Sequence, residues 1–324
     1  MNDAQPLVSI ITAAYNRASY LDETIQSVLT QDYLRIEYIV LDDGSTDNTR
    51  EVLKKYNGQI IWESHPNMGE TRTINKGLGM AHGDIIAIVN SDDPLLPSAV
   101  NTAVAFMQGQ PDILVAYPDW NYIGPDSKVR SRVELPEYEY MYMLRRHFCT
   151  PGPGAFIRRR AIELAGMRDP DFKYAADFEY WLRLGLYGKF AHIPKTLATF
   201  RVHPDSASVS SKGTVMANEQ IRLLEKLYNR PDLPMEVLAA RSEAFGWAHY
   251  VAALKCGADS CLARIHIIKA ISYHPSILIQ ERLNCQSIIL PKPVSRVLHQ
   301  IWLIVRPVLS KCFRFSKRAI KGIY

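Results

Sequence analysis

Ile36-Glu-Tyr-Ile-Val-Leu-Asp-Asp-Gly-Ser-Thr-Asp47 is the stretch on which the fold turns. Its first half, Ile36 to Leu41, is mostly apolar and reads as a strand. At Asp42 the composition switches to carboxylates, hydroxyls and a glycine. The same transition recurs on either side. Leu7-Val-Ser-Ile-Ile-Thr-Ala13 leads into Ala14-Tyr-Asn16, and Ile85-Ile-Ala-Ile-Val89 leads into Asn90-Ser-Asp-Asp93. Between these runs the period is helical. Leu21, Ile25, Val28 and Leu29 follow Ser19 and Asp22, which are spaced as a capping box; Val52 and Leu53 follow Ser45 or Thr46 as cap; Thr71 to Ala81 is ended by Gly83. Ile60-Ile-Trp62 adds a short strand. Strands alternating with helices predict an α/β fold with a mostly parallel, doubly wound sheet. Ligands of such sheets bind beyond the carboxyl ends of the strands, so all three polar clusters become candidate site residues by position alone.

From Asn101 onward the pattern is mixed. A strand is expected near Ile113 to Tyr117, a Pro- and Gly-rich loop at Thr150 to Gly154, and helices at Arg160 to Ala165 and Asp177 to Leu186. Residues 215–290 read as wholly helical, with helices over Met235 to Lys255 and Ser260 to Ile271. The expected organisation is therefore an α/β domain over 1–214, a helical region over 215–290 and a separate tail over 291–324.

The clusters carry specific chemistry. Asp92 and Asp93 are hard oxygen donors of the kind that hold a divalent cation, one facing the ion while its neighbour reaches elsewhere. As an isolated motif, Ser91-Asp-Asp-Pro94 also reads as a turn with a helix cap. Asp42 and Asp43 have the same bland alternative; their functional reading is a carboxylate that accepts hydrogen bonds from the edge of a nucleotide base, with Tyr15 stacked on that base. Asp177 lies at the N-terminal edge of an apolar-faced helix and suits a general base, or simply an N-cap. His203 is a candidate ligand for a metal or a phosphate. No G-x-G-x-x-G and no G-x-x-x-x-G-K-[ST] is present, so dinucleotide and P-loop readings lack their phosphate cradles.

Taken in order, these clusters resemble glycosyltransferase family 2. The matching text is Val8-Ser-Ile-Ile-Thr-Ala-Ala-Tyr-Asn16, Val40-Leu-Asp-Asp-Gly-Ser-Thr-Asp47, Asn67-Met-Gly69 with Ile74-Asn-Lys-Gly77, Gly83-Asp84 before Asn90-Ser-Asp-Asp93, Ala176-Asp-Phe-Glu-Tyr-Trp-Leu-Arg183 and Arg201-Val-His203. The resemblance covers residues 7–210 and implies a GT-A, Rossmann-like catalytic domain that transfers a sugar from a nucleoside diphosphate with inversion, a UDP-sugar being favoured. It places Ala13, Tyr15, Asp43, Asn75, Asn90 and Asp92 at the nucleotide, Asp92, Asp93 and His203 at a divalent metal (Mn²⁺ or Mg²⁺), and Asp177 as the general base. The family commonly has Asp where this chain has Asn90, which removes a charge beside the metal. The Gln-x-x-Arg-Trp signature of processive members is missing, which implies transfer of a single sugar to a glycan or lipid-linked acceptor, as in cell-surface polysaccharide assembly. Cys149-Thr-Pro-Gly-Pro-Gly-Ala-Phe156 falls beside the family's acceptor pocket. Its glycines read equally as room for a sugar and as a plain tight connection.

The net charge of +5 is unevenly placed. Eight of the 38 basic residues lie in 292–324 with no Asp or Glu, leaving 30 basic against 33 acidic residues in 1–291. Wound as a helix, that tail separates its basic residues from an apolar arc through Val297, Leu298, Ile301 and Val305, with Trp302 and Phe313 suited to a headgroup layer. An anionic membrane surface is the expected partner, a helix packed on the body the alternative. Nucleic acid is not expected, given the acidic balance of the body. The N-terminus has neither the basic nor the apolar region of a signal peptide, and the five scattered cysteines form no C-x-x-C pair. The expected location is the cytoplasm, at the inner face of the membrane. Two rival readings stand beside this one. A nucleotidyltransferase wants a glycine-rich loop after the first strand, which is not there; a non-catalytic sugar-nucleotide-binding protein of the same fold is opposed by the four retained carboxylates.

Overall fold

The computed structural model describes residues 5–203, 213–257 and 261–280. Four parallel strands, β1 (Val8–Ala14), β2 (Ile36–Asp42), β3 (Ile61–Ser64) and β4 (Ile85–Ile88), stand in the order β3-β2-β1-β4. Helices α1 (Leu21–Leu29), α2 (Thr49–Lys54) and α3 (Glu70–Met80) make the crossovers between them. The order reverses at β1, which has β2 on one side and β4 on the other. The carboxyl ends of β1 and β4 therefore open a crevice at the switch point, where such sheets bind ligands. Val8, Ile10, Ile11, Ile39, Val40 and Leu41 are fully buried, which is why these strands read as nearly unbroken apolar runs. Ile74, Leu78 and Ala81 of the α3 region pack on Ile11, Ile39 and Leu41. Gly77 permits that approach, since a Cβ there would sit 2.5 Å from Ile11 Cγ2.

After α4 (Ala99–Gln108) the sheet becomes mixed. β5 (Ile113–Ile123), β6 (Val129–Val133), α5 (Tyr140–Arg146), β7 (Phe156–Arg158), α6 (Arg159–Ala165), α7 (Ala176–Leu184) and β8 (Lys189–Arg201) follow. β7 is antiparallel to both β4 and β5, β6 is antiparallel to β5, and β8 runs parallel to β5 along its whole length. The end of β8 is stitched to the loop after β4 by Leu96 N to Leu197 O (2.9 Å) and Thr199 Oγ1 to Pro94 O (2.7 Å). That stitching delivers residues 201–203 to the crevice.

Several local expectations change. The capping box at Ser19 does not form: Tyr20 holds the N-cap position, and Asp22 instead accepts from the Tyr56 hydroxyl at 3.0 Å. Ser45 does not cap α2 either, because its hydroxyl accepts the Asn16 N–H at 2.9 Å. Met235 to Lys255 is divided at Ala240 into α9 (Met235–Ala239) and α10 (Arg241–Cys256).

The chain forms two compact units. Among the described residues, one comprises those before Gly213 with Arg222–Ala240; the other comprises Gly213–Ile221 with those from Arg241, so α8 (Gly213–Tyr228) contributes to both. In the second unit α11 (Cys261–Tyr273) packs on α10 through Trp247, Tyr250, Ala263, Ile267 and Ala270, and α12 (Ile277–Gln280) adds Ile277. Among the described residues no helix is long and apolar enough to cross a membrane. The basic segment 292–324 lies outside the described residues.

Candidate active site

The ends of β1 and β2 are laced together by Asn16, whose left-handed backbone (φ 53°) suits an asparagine. Its Oδ1 accepts the Thr46 N–H at 2.8 Å, and Arg17 N donates to Thr49 Oγ1 at 3.0 Å. The two aspartates after β2 divide their work. Asp42 is wholly buried and accepts from Ser45 N (2.9 Å), Ser64 Oγ (2.6 Å) and Arg50 Nε (3.0 Å). Burial raises its carboxyl, but these hydrogen bonds outweigh burial and hold it below the ordinary value. It is an internal tie. Asp43 accepts the N–H groups of Met68 (2.7 Å) and Gly69 (3.0 Å), one on each oxygen, and so fixes the turn from which α3 starts. Asp43 is itself buried, and His65 Nδ1 lies 3.6 Å from its Oδ1. Tyr15, 46% exposed, offers its ring at the end of β1 close to Ala13.

The pair after β4 divides in the same way. Asp93, 5% exposed, turns inward: Oδ1 accepts Arg201 N at 2.6 Å and Oδ2 accepts Asn90 Nδ2 at 2.8 Å. Burial, then the charge of Asp92, pushes its carboxyl up to about 7. Asp92 faces the crevice, with Oδ2 2.9 Å from His203 Nε2 and 3.3 Å from Arg17 Nε. Arg201 holds this corner together. Its side chain is fully enclosed and donates to the backbone oxygens of Asp92 (2.9 Å) and Gly124 (3.0 Å), to Ser127 Oγ (2.9 Å) and to Glu23 (2.7 Å). The family resemblance implies both aspartates at a metal and Asn90 at the nucleotide. The structure commits Asp93 and the amide of Asn90 to each other, because the peptide of Arg201 arrives from 108 residues away to claim the remaining Asp93 oxygen.

Across the crevice, Ala175 takes the N-cap of α7 and Asp177 is the second helical residue, so it is not the cap. Its carboxylate is exposed and accepts the neighbouring Phe178 N–H at 2.7 Å. Phe178, Tyr180, Trp181 and Leu182 bury the helix and fix that position. The amide of Asn75 pairs with the backbone of Arg168 in both directions (2.7 and 3.0 Å) and holds the loop before α7. Thr71 Oγ1 donates to Phe172 O in the same loop at 2.9 Å. Cys149 borders this region. Its thiol is raised by burial and then by the charge of Asp177, with Arg168 opposing. The nearby glycines serve packing: a Cβ on Gly152 would lie 2.4 Å from the Trp120 ring, and Gly154 (φ 77°) backs onto Ala198. That favours the tight connection over room for a sugar.

One group was missed in the sequence. Glu70, the first residue of α3, is accessible to water, yet its carboxyl is raised by loss of hydration among surrounding atoms. Arg168 lowers it, Asp177 and Asp92 raise it, and Arg17 lowers it. The available signal was its place directly after Asn67-Met-Gly69.

Among the described residues no group of three or more His, Cys, Asp or Glu is arranged to hold a metal. Asp92 and His203 bring one carboxylate oxygen and one imidazole nitrogen together, His203 being nearly enclosed with its Nε2 2.9 Å from Asp92 Oδ2. Such a pair fits a hard divalent cation completed by phosphate oxygens and water, and does not make an all-protein cage.

Comparison with known proteins follows the same lines. The family model for glycosyl transferase family 2 matches residues 9–164. A chondroitin synthase and a hyaluronan synthase of Pasteurella multocida are each 29% identical over 230 residues, 68% of this chain but only 23% of theirs. An Escherichia coli UDP-Glc:alpha-D-GlcNAc-diphosphoundecaprenol beta-1,3-glucosyltransferase, WfaP, is 30% identical over 210 residues, 63% of this chain and 80% of that protein. Among solved structures, S. aureus TarS 1-349 in complex with UDP-GlcNAc aligns with TM-score 0.58 at 16% identity, over 85% of this chain and 91% of that one. The mannosyltransferase PcManGT of Pyrobaculum calidifontis, in complex with GDP-Man and Mn²⁺, aligns with TM-score 0.58 at 16% identity, over 94% of this chain and 81% of that one.

Proposed function

This chain belongs to glycosyltransferase family 2, and from that premise we propose that it transfers one sugar from a nucleoside diphosphate with inversion. It is a glycosyltransferase of the GT-A fold. The observation that carries the proposal is the placement of two separate acidic centres. Asp92 with His203 lies at the switch point, and the solvent-facing Asp177 lies across the crevice.

The nucleotide lies over the ends of β1 and β2, its base against Tyr15 and Ala13 and its polar edge at Asp43. A UDP-sugar is favoured, as the E. coli relative's name and the S. aureus complex support for those proteins. The diphosphate lies by Asp92, His203 and Arg17. A divalent cation bound there would neutralise the charge that grows on the leaving diphosphate. Asp93 and Arg201 position Asp92, and Asn75 positions the Arg168 loop. Asp177 takes the proton from the acceptor hydroxyl as that oxygen attacks the anomeric carbon from the face opposite the diphosphate.

The acceptor is a hydroxyl of a glycan or lipid-linked glycan in cell-surface polysaccharide assembly; the E. coli relative's name gives a diphosphoundecaprenol-linked acceptor for that protein, and the Pasteurella relatives are named as chondroitin and hyaluronan synthases. Thermal unfolding across a panel of nucleotide sugars, with and without Mn²⁺, tests the donor. At least one UDP-sugar should raise the midpoint only with the ion. No response to any nucleotide would defeat the proposal.

The charge of 292–324 supports residence at an anionic membrane surface, where each Lys or Arg contributes on the order of 1 kcal/mol within a Debye length of ~8 Å. The full chain should co-sediment with anionic but not neutral vesicles, and less so in high salt. Equal partitioning onto both would rule out the electrostatic attachment.

A further inference from the structure

We propose that the outward side of α11 is a lipid-contacting surface, Ile265 and Ile268 seating among the headgroups of an anionic bilayer while Arg264 and Lys269 meet phosphates on either side. The inference goes beyond the catalytic reading and does not rest on it: α11 belongs to the second compact unit and carries no residue of the candidate active site.

Cys261-Leu-Ala-Arg-Ile-His-Ile-Ile-Lys-Ala-Ile-Ser-Tyr273 carries apolar residues on both sides of the helix, where a helix at a protein surface ordinarily confines them to one. Turned from Leu262, Ala263, His266, Ile267 and Ala270 fall between about 40° and 140°. All four are buried, Ala263, Ile267 and Ala270 in one cluster with Trp247 and Tyr250 of α10. His266 adds its own tie to α10, with Nδ1 2.9 Å from Nδ1 of His249. That side is fully used. Ile265 and Ile268 fall at about 300° and 240°, centred directly opposite. They are 44% and 62% exposed. Arg264, at about 200°, and Lys269, at about 340°, flank them and are exposed as well.

Charge decides what covers this strip. From Ser260 to Gln280 the chain has Arg264 and Lys269 and no Asp or Glu. A second copy docked about a two-fold axis would set the patch on itself, cation against cation. The chain's own segment 292–324 holds eight basic residues and no acid, so it too would bring like charge. A bilayer containing anionic lipid suits both parts of the strip. The isoleucines leave water for the acyl boundary, and the stems of Arg264 and Lys269 lie along that boundary with their charges at the phosphates. Leu278 and Ile279 of α12, next in the chain, are exposed and apolar in the same way.

The intact chain carries its own reporter. Cys261, an exposed free thiol, falls at about 260°, between the two isoleucines. Its alkylation by a water-soluble maleimide is followed by mass spectrometry of the digested full chain, without lipid, with phosphatidylcholine vesicles, and with vesicles of phosphatidylcholine and phosphatidylglycerol in equal parts. Co-sedimentation is measured on the same samples. The mixed vesicles should slow alkylation of Cys261 by about fivefold or more, and the neutral vesicles by less than about twofold. Ile265→Gln/Ile268→Gln should weaken co-sedimentation by about tenfold and restore the rate at Cys261. The thermal midpoint should stay in place, because both side chains lie outside the core. Cys312 reports on the segment 292–324 in the same digest. If the mixed vesicles bring the chain down and slow Cys312 while Cys261 keeps its rate, the α11 surface is overturned and the attachment of the segment stands. Protection of Cys261 that needs no lipid and grows with protein concentration would reveal a second copy and overturn it too. Failure to co-sediment with the mixed vesicles overturns both.

Discussion

Asp177→Asn is expected to lower turnover by about 10²-fold or more while leaving donor affinity within about twofold. Asparagine keeps the shape of the side chain and an oxygen to accept the Phe178 N–H, so α7 should begin as it does now. What is lost is the proton acceptor. Asp177 is suited to that task because it is exposed and, among the described residues, its one hydrogen bond comes from its own helix. Release of nucleoside diphosphate in steady state measures turnover, and calorimetry measures donor binding. A readout independent of catalysis checks the placement. The charge of Asp177 is one cause, after burial, of the raised Cys149 thiol, so alkylation of Cys149 should be faster in the variant. Unchanged turnover in Asp177→Asn would remove it from the mechanism.

Withdrawal of divalent cation is expected to abolish transfer, and Asp92→Ala to lower it by about 10³-fold even in excess Mn²⁺. Asp92→Ala removes the ion's carboxylate and also the partner that His203 Nε2 and Arg17 Nε share, so the thermal midpoint should fall, but by less than in Asp93→Ala. Asp93→Ala leaves Arg201 N and the amide of Asn90 without their acceptors in a buried corner, so the midpoint should fall further, along with activity. Chelator titration, readdition of Mn²⁺ or Mg²⁺, and melting of the two variants separate these effects. Full activity in excess chelator would show that Asp92 and His203 serve some purpose other than metal binding.

The first half of the fold was legible because strands buried on both faces leave unbroken apolar runs, as in Val8 to Ile11 and Ile39 to Leu41. The second half was not. β5 carries Pro118 and Asp119, β8 carries His192, Pro194 and Lys195, and the register between them shifts at Pro118 and Asp119, so neither shows a clean period. β7 is three residues long and joins the sheet only through β4 and β5. The candidate site was legible as positions: Asp43, Asp92, Asp93 and Asp177 all stand where a strand or helix turns toward the crevice. The division of labour within each pair was hidden, because it depends on partners from distant sequence. Ser64 fixes Asp42, and Arg201 fixes Asp93. Glu70 carries no signature beyond following Gly69.

The central claim is cleavage of a nucleotide sugar by one in-line displacement in this crevice. The most direct test needs no acceptor. With water standing in for the acceptor, proton NMR follows the slow hydrolysis of the α-linked UDP-sugar selected by the donor panel, in Mn²⁺, and records the first sugar anomer to appear together with UDP. A β-anomer that appears first and then mutarotates is the predicted result. An α-anomer appearing first would contradict it.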